Sequence, residues 1–366
     1  MRVLTLVLLA GFATTACDKK RGITESDNFV SGITITPNPA TMTILESRQF
    51  SAAGINQVGG GAIAITPVWS VVSGGGTISS SGVFTAGMQT GSFTQTIMAT
   101  SNGLTATATV IVTVGPITSI TVTPTPATLA AGATQQFTAV GRDAADNVVA
   151  FTPTWSMAGA GGTINGSGVF TAGGTPGTYT GAVMASNGTV NGVATVVVTA
   201  GPLANMVITP DPATMAVGAT QQYIATSTDA FGNVIANSPT WTVTNGGGTI
   251  NATGLFTAGT TPGAFNNTIR AQSGGISATA TAIVTAGPLA TIVVTPNPVT
   301  LDMGATQQFT AVGTDANGNV VAITPTWSVA SGGGTIVGNG QFTAGSTAGT
   351  FANTVRATSG GISGSA

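Results

Sequence analysis

Four tryptophans set the organisation of this 366-residue chain, because they recur at one constant interval. Trp69, Trp155, Trp241 and Trp327 are separated by steps of 86 residues. Two further aromatic series keep this step, apart from one first interval of 87: Phe84, Phe170, Phe256 and Phe342, and Phe50, Phe137, Tyr223 and Phe309. Such fixed spacing is typical of tandem domains. It predicts four domains, at 31–116, 117–202, 203–288 and 289–366, which we call repeats one to four.

Within a repeat the hydrophobic pattern has a period of two. In repeat three Ile276, Ala278, Ala280, Ala282 and Val284 alternate with serine and threonine, as residues do in a strand with one buried face. No window shows the period of an amphipathic helix. About seven short strands in each repeat, separated by glycine- and proline-rich breaks, indicate an antiparallel β-sandwich. The predicted class is all-β, with tandem sandwich domains in a row.

The aromatic series are predicted to form the core of each sandwich, since they stand inside strand-like runs at a fixed step. Burial of one phenylalanine contributes about 1.5–3 kcal/mol. For the tryptophans, exposed platforms that stack on sugar rings are the alternative. The predicted core residues are Phe50, Trp69, Phe84, Phe137, Trp155, Phe170, Tyr223, Trp241, Phe256, Phe309, Trp327 and Phe342.

The repeated motifs resemble those of the bacterial immunoglobulin-like domain, group 2 type. Across the repeats the pattern runs TxxGATQQFTA, then PTWSV, then GGTIxxxGxFTAG, and then a closing run of alanine, threonine and valine. The resemblance covers residues 31–366. It implies an immunoglobulin-like sandwich, and domains of this type serve as spacers, adhesive tips and carbohydrate-binding accessories.

The composition excludes most catalytic chemistry. The chain has no histidine, eight Lys and Arg, ten Asp and Glu, and a formal net charge of −2. Without histidine there is no imidazole for acid–base catalysis or for metal ligation. Eight basic residues form no surface that could neutralise a nucleic-acid backbone. We therefore expect no enzyme activity, no cofactor and no nucleic-acid partner.

The N-terminus has the layout of an export signal. A basic start precedes the apolar run 3–12, and Cys17, the one cysteine of the sequence, follows Ala16. This layout predicts a signal peptide over 1–16. It also resembles the lipobox of bacterial lipoproteins, which implies a lipidated Cys17 as membrane anchor in the cell envelope. Residues 18–30 hold six of the 18 charged residues and little apolar material, so the segment 17–30 is expected to be a flexible tether that places the repeats at the surface. An ordinary secretory signal, cut at the same place, is the alternative.

The polar segment DAxxN or DAxGN in repeats two to four is a candidate metal site. Its carboxylate and amide oxygens could ligate calcium, but a hairpin turn requires the same residue types. Repeat one lacks the segment. We expect turn chemistry and no metal, with calcium as the alternative at Asp143, Asp146, Asn147, Asp229, Asn233, Asp315, Asn317 and Asn319.

The links between repeats are short Gly-Pro pairs, 115–116, 201–202 and 287–288. They leave little freedom, so we expect a semi-rigid row that acts as a surface stalk or scaffold. The alternative is an adhesin or carbohydrate-binding module that contacts glycan or host protein through its loops.

Repeat four stops at Ala366, which aligns with Ala280, and most of its closing strand is therefore missing. We expect a fragment of a longer gene product, with a frayed last domain as the alternative.

Overall fold

The computed structural model describes residues 29–366, and the regular structure in this range is β-strand throughout. None of these residues belongs to a helix with the length and hydropathy of a membrane span. The described chain divides into two compact units. One holds residues 29–121, 139–153 and 186–192, and the other holds 122–138, 154–185 and 193–366. Repeat two contributes residues to both units.

The strands follow one another in nearly the same order in each repeat. Those of repeat one are β1 (Val30–Thr36), β2 (Ala40–Thr43), β3 (Ser47–Gln49), β4 (Ser51–Asn56), β5 (Ala62–Ala64), β6 (Val68–Val71), β7 (Gly76–Ile78), β8 (Val83–Ala86), β9 (Gly91–Ser101) and β10 (Leu104–Thr113). Those of repeat two are β11 (Ser119–Thr123), β12 (Ala127–Ala130), β13 (Thr134–Gln136), β14 (Thr138–Arg142), β15 (Val148–Val149), β16 (Thr154–Met157), β17 (Gly162–Ile164), β18 (Val169–Ala172), β19 (Gly177–Ser186) and β20 (Asn191–Thr199).

Repeat three has the same ten strands, and repeat four has nine. In repeat three they are β21 (Asn205–Thr209), β22 (Ala213–Ala216), β23 (Thr220–Gln222), β24 (Ile224–Thr228), β25 (Val234–Ile235), β26 (Thr240–Val243), β27 (Gly248–Ile250), β28 (Leu255–Ala258), β29 (Gly263–Ser273) and β30 (Ile276–Thr285). In repeat four they are β31 (Thr291–Thr295), β32 (Thr306–Gln308), β33 (Thr310–Thr314), β34 (Val320–Val321), β35 (Thr326–Val329), β36 (Gly334–Ile336), β37 (Gln341–Ala344), β38 (Val355–Ser359) and β39 (Ile362–Ser365).

Three sheets recur along the chain. In repeat one their strand orders are β1-β4-β5, β2-β10-β9-β6 and β3-β8-β7, and repeat three has the equivalent orders β21-β24-β25, β22-β30-β29-β26 and β23-β28-β27. Neighbours such as β1 and β4 are antiparallel, whereas β2 runs parallel to β10, with Ala40 opposite Val110. The predicted all-β class, with tandem antiparallel sandwich domains, is confirmed.

The strand that carries the first aromatic of a repeat changes sheets at that residue. β3 pairs with β8 as far as Gln49, and β4 pairs with β1 from Ser51 onward. Between them the Phe50 N–H donates to the Gly82 carbonyl at 2.8 Å. Breaks of this kind divide strands, so a full repeat has ten short strands where the sequence suggested about seven.

Two aromatic rings meet edge to face in the core of each repeat. Phe50 and Phe84 have ring centroids 6.0 Å apart at an interplanar angle of 76°, an arrangement that aromatic pairs favour. The pair recurs as Phe137–Phe170, Tyr223–Phe256 and Phe309–Phe342. All eight rings are at most 6% exposed. The four tryptophans are half-buried, and Trp69 packs against the edge of the first core.

Candidate functional site: the joints between repeats

The polar segment of repeat two forms a tight turn between β14 and β15. Asp143 follows β14 directly, and its N–H donates to the Asn147 carbonyl at 3.0 Å. Its Oδ1 accepts the backbone N–H groups of Ala145 and Asn147 at 2.9 and 3.0 Å. An aspartate that binds the backbone two residues on is typical of an Asx turn. Asp229 and Asp315 accept the equivalent bonds in repeats three and four.

The second carboxylate oxygen holds the link from the preceding repeat. The Gly115 N–H donates to Oδ2 of Asp143 at 2.9 Å. The bond recurs from Gly201 to Asp229 at 2.7 Å and from Gly287 to Asp315 at 2.8 Å. A Cβ at Gly201 would lie 3.3 Å from Oδ2 of Asp229 and would crowd it. The approach of the backbone to the carboxylate therefore favours glycine in the link.

The asparagine of the segment connects this carboxylate to the body of the preceding repeat. Asn233 Nδ2 donates to Asp229 Oδ2 at 2.8 Å and to the Gly174 carbonyl at 2.7 Å. Asn147 reaches the Met88 carbonyl at 3.3 Å and Asn319 reaches the Thr260 carbonyl at 2.9 Å. We call each set a joint: joint one is Gly115, Asp143 and Asn147, joint two is Gly201, Asp229 and Asn233, and joint three is Gly287, Asp315 and Asn319.

The joint aspartates are buried, with at most 3% of their surface exposed. Burial by itself would raise the pKa of Asp229, but hydrogen bonds from the Asn233 side chain and from the N–H groups of Gly201, Asn233 and Phe231 outweigh it and lower that pKa to about 2. The same balance lowers the pKa of Asp315 to about 2, and the pKa of Asp143 is lowered as well. Each joint therefore holds a carboxylate whose charge is stabilised by N–H donors.

The joints present N–H groups rather than further oxygens to their carboxylates. Calcium takes about six to eight oxygen ligands. Within residues 29–366 no group of three or more acidic, cysteine or histidine side chains is placed to hold a metal ion. Asp146, the second carboxylate of the first segment, is exposed and lies 3.5 Å from Arg142. The chemistry that these loops perform in the structure is hydrogen bonding.

The residue two positions after the aspartate differs from joint to joint. In joint two it is Phe231, whose ring lies over two glycines of repeat two: a Cβ at Gly174 would be 2.5 Å from the ring, and one at Gly132 would be 3.1 Å away. Its equivalent in joint one is Ala145, which packs against the core of repeat one, and in joint three it is Asn317. Joint two therefore adds an aromatic contact to the hydrogen bonds.

Repeat one carries an asparagine, Asn56, where the later repeats carry the joint aspartate. Its Oδ1 accepts the Val58 N–H at 2.9 Å, so it makes a turn bond of the same kind. The aspartate thus occurs in the repeats that follow a Gly-Pro link, 28 residues after the linking glycine. That co-occurrence is the sequence signal of the joint, and sequence reasoning overlooked it.

Sequence reasoning also overlooked a fourth aromatic series. A Cβ at Gly75 would lie 2.6 Å from the Phe93 ring, which therefore sits on the glycine-rich turn before β7. The equivalents of Phe93 are Tyr179, Phe265 and Phe351.

Cys17, the predicted lipid anchor, lies outside the described residues.

No known protein-family profile matches this chain. One curated relative, ice-binding protein 1 of Shewanella frigidimarina, is 34% identical over 225 residues, which is 58% of this chain and 25% of that protein. The matched region thus spans a quarter of the relative's length.

Several solved structures resemble the fold at low identity. Protocadherin gammaB7 EC3-6 matches with a TM-score of 0.43 and 14% identity, over 92% of this chain and 98% of that one. Mouse cadherin-23 EC22-24 matches with a TM-score of 0.37 and 15% identity, over 70% and 99%. The S-layer protein rSbsC(31-844) matches with a TM-score of 0.29 and 17% identity, over 92% and 50%. At such values these likenesses do not bear on function, and the sheets described above are what establish tandem β-sandwich repeats.

Proposed function

We propose that this chain is a non-enzymatic, exported cell-envelope lipoprotein, anchored through Cys17, whose repeats form a semi-rigid stalk or scaffold. The joint is the observation that carries the proposal. At three successive links a buried aspartate binds the linking glycine, and the neighbouring asparagine binds the preceding repeat. Hydrogen bonds to a buried charged group are stronger than neutral ones. They restrict rotation at each link, which is what a scaffold requires.

The composition supports the same role. A chain with no histidine and a net charge of −2 has few groups for acid–base chemistry or for attracting charged ligands. The outward positions of its strands carry many threonines, such as Thr34, Thr121 and Thr123. Such a surface suits a spacer, because it stays hydrated and selects no charged partner.

Loosening joint two tests the proposal. In a chain with Cys17 replaced by serine, spin labels on engineered cysteines in repeats two and three report the distance across this link. Asp229→Asn keeps the shape of the side chain but removes its charge and places an N–H group where Gly201 donates. We expect the distance distribution to broaden. Asp302→Asn is the matched control, since Asp302 is exposed and lies outside the joints.

The two variants have opposite expected outcomes. An unchanged distribution in Asp229→Asn would contradict the scaffold proposal, because the joint would then not hold the two repeats together. Equal broadening in Asp302→Asn would contradict it as well, since the effect would come from lost charge and not from the joint.

A second candidate function is contact with ice, because the relative matched over 225 residues is named an ice-binding protein. The outer face of β31 and β33 favours it. Thr295 lies opposite Thr310 with their Oγ1 atoms 2.9 Å apart, and Val293 lies opposite Val312, both exposed. Such an uncharged face of methyl and hydroxyl groups suits a surface of water molecules.

Ice recrystallisation in the presence of the purified chain tests this second candidate. We expect smaller crystals with the chain than with a Val312→Glu variant, whose charge interrupts the face. Equal crystal sizes with the two chains would contradict the ice function.

The same preparation on glycan and matrix-protein arrays tests the adhesin alternative, for which binding must exceed that of a domain-shuffled control.

A further inference from the structure

A groove lies beside the tryptophan of repeat three, between the start of β24 and the segment that leads into β26. Its volume is about 340 Å³, and its apolar lining includes Ile224, Pro239 and Trp241. Sites for small ligands commonly have volumes of about 300–1,000 Å³. The groove therefore has room for one small ligand.

An exposed isoleucine distinguishes this groove from the equivalent places in the other repeats. Ile224 is 60% exposed, and the other repeats have Ser51, Thr138 and Thr310 at this position. The indole ring beside it is half-buried: a Cβ at Gly254 would lie 3.0 Å from one part of the ring, and another part lines the groove. The wall of the groove is therefore more apolar in repeat three than in its neighbours.

The polar side chains of the groove are neutral, and one of them is held in a fixed orientation. Gln222 Nε2 donates to the carbonyls of Tyr223 and Thr253, both at 2.8 Å. Both protons of the amide are then used, so its Oε1 is left as an acceptor. In the described part of the chain, neither the hydroxyl of the exposed Ser238 nor the indole N–H of Trp241 has a hydrogen-bond partner. The groove thus offers polar groups that the protein itself does not satisfy.

We propose that this groove binds a neutral sugar ring. The C–H face of the ring packs on Trp241 and Ile224, and hydroxyls at its edge pair with Gln222 Oε1 and with the Ser238 hydroxyl. An aromatic wall with a few fixed polar groups suits a ligand that is apolar on its face and polar at its edge. The lining has no charged side chain, so it has nothing to compensate a bound phosphate or carboxylate. Such a site is independent of the scaffold role of the joints.

The indole N–H signals of the four tryptophans, observed by NMR in the isotope-labelled chain, report binding at each repeat. Replacement of one tryptophan at a time by phenylalanine assigns them. Cellotetraose and maltotetraose are the neutral probes, and we expect at least one of them to shift the Trp241 signal saturably. Tetragalacturonate, the charged probe, should bind at least about tenfold more weakly, because its carboxylates find no partner in the groove.

Ile224→Thr gives repeat three the residue of repeats two and four, and it should weaken binding about tenfold, because the groove loses an apolar wall. Val207→Thr is the matched control: Val207 is 58% exposed on β21 and lies outside the groove, and repeat two has Thr121 at this position. Its affinity should equal that of the unmodified chain. Ser238→Ala removes one exposed hydroxyl and should weaken binding as well.

Three outcomes would overturn the proposal. In the first, neither neutral probe shifts the Trp241 signal, or the charged probe binds equally well. In the second, Ile224→Thr and Val207→Thr change the affinity alike. In the third, Ser238→Ala binds as tightly as the unmodified chain.

Discussion

At the scale of single residues, the glycine two places before the second core aromatic is among the most constrained positions. Gly254 has φ +84°, which favours glycine. A Cβ there would lie 2.6 Å from the Tyr223 carbonyl oxygen and 3.0 Å from the Trp241 ring. Gly82 has the same φ, and its aromatic neighbour is Trp69, the tryptophan of repeat one. The glycine of the G-x-F motif is therefore required because its turn lies close to the carbonyl of the first core aromatic and to the tryptophan ring.

The first prediction concerns this position. Gly254→Ala should lower the free energy of unfolding of repeat three by about 2 kcal/mol or more, because strain and a clash with backbone combine. Gly274→Ala is the matched control, since it also has a positive φ, +57°, but nothing within 4 Å of the added Cβ. It should cost about 1 kcal/mol. Urea unfolding followed by tryptophan fluorescence measures both, and equal losses would show that the clash is unimportant.

Sequence reasoning reached the turn role of the aspartates but not their partners. The local pattern of Asp143 with Asn147 is the same whether the second carboxylate oxygen faces solvent or a linking glycine. The deciding contacts lie 28 and 59 residues away along the chain. Phe93 was overlooked for a similar reason: the glycine that it covers belongs to a turn whose conformation the sequence leaves open.

At the scale of elements, each joint ties the turn after β14, β24 or β33 to a link and to the preceding repeat. The hydrogen bonds depend on ionised aspartate, because a protonated carboxyl accepts N–H groups less well. Acid should therefore weaken the joints before it affects the aliphatic cores. We therefore expect the strength of a joint to depend on pH and on the residue at the position of Phe231.

The second prediction is a pH dependence. The pKa values of Asp229 and Asp315 are about 2 in the folded chain and 3.8 ordinarily. A lowered folded pKa means that the stabilisation is complete above the ordinary value and is lost as the pH falls through about 2. The thermal midpoint, measured from about pH 6 to about pH 2, should fall less steeply when both residues are asparagine. An Asp302→Asn chain should follow the unmodified chain, and parallel curves for all three would contradict the prediction.

The third prediction concerns calcium. Because N–H groups already occupy the carboxylate oxygens of the joints, calcium should leave the thermal midpoint unchanged relative to a chelator. Any ligand that binds the folded chain alone would raise it. A rise that Asp229→Asn abolishes would instead support the calcium interpretation of these loops.

At the scale of the whole molecule, the interval of 86 residues was the main basis for predicting four tandem domains. Each repeat has to bury its own rings, so the spacing of Trp69, Trp155 and their equivalents indicates self-contained cores, and the alternation in runs such as 276–284 indicates strands. Two features could not be predicted. One is that the chain leaves one sheet and joins another at Phe50, and the other is that β2 pairs in parallel with β10. Both depend on pairing between distant segments, which a two-residue period does not specify.

The fourth prediction concerns the anchor. Replacement of Cys17 by serine should move the chain from the membrane fraction to the soluble fraction, because lipidation requires the thiol. Partition in a detergent such as Triton X-114 measures the change, and Ser31→Ala serves as a control outside the signal. An unchanged partition of the Cys17→Ser chain would contradict the lipoprotein interpretation and leave the ordinary secretory signal.

The parallel pairing of a repeat's second strand with its last strand has a mechanical consequence. In repeat one β2 lies near the N-terminal end and β10 at the C-terminal end, and Ala40–Thr43 are matched with Val110–Thr113. Tension applied to the two ends pulls these parallel strands in opposite directions along their length. Their hydrogen bonds are then loaded together in shear instead of breaking one after another as in a zipper. Repeats two and three have the same pairing, so each resists stretching through a short strand of four residues.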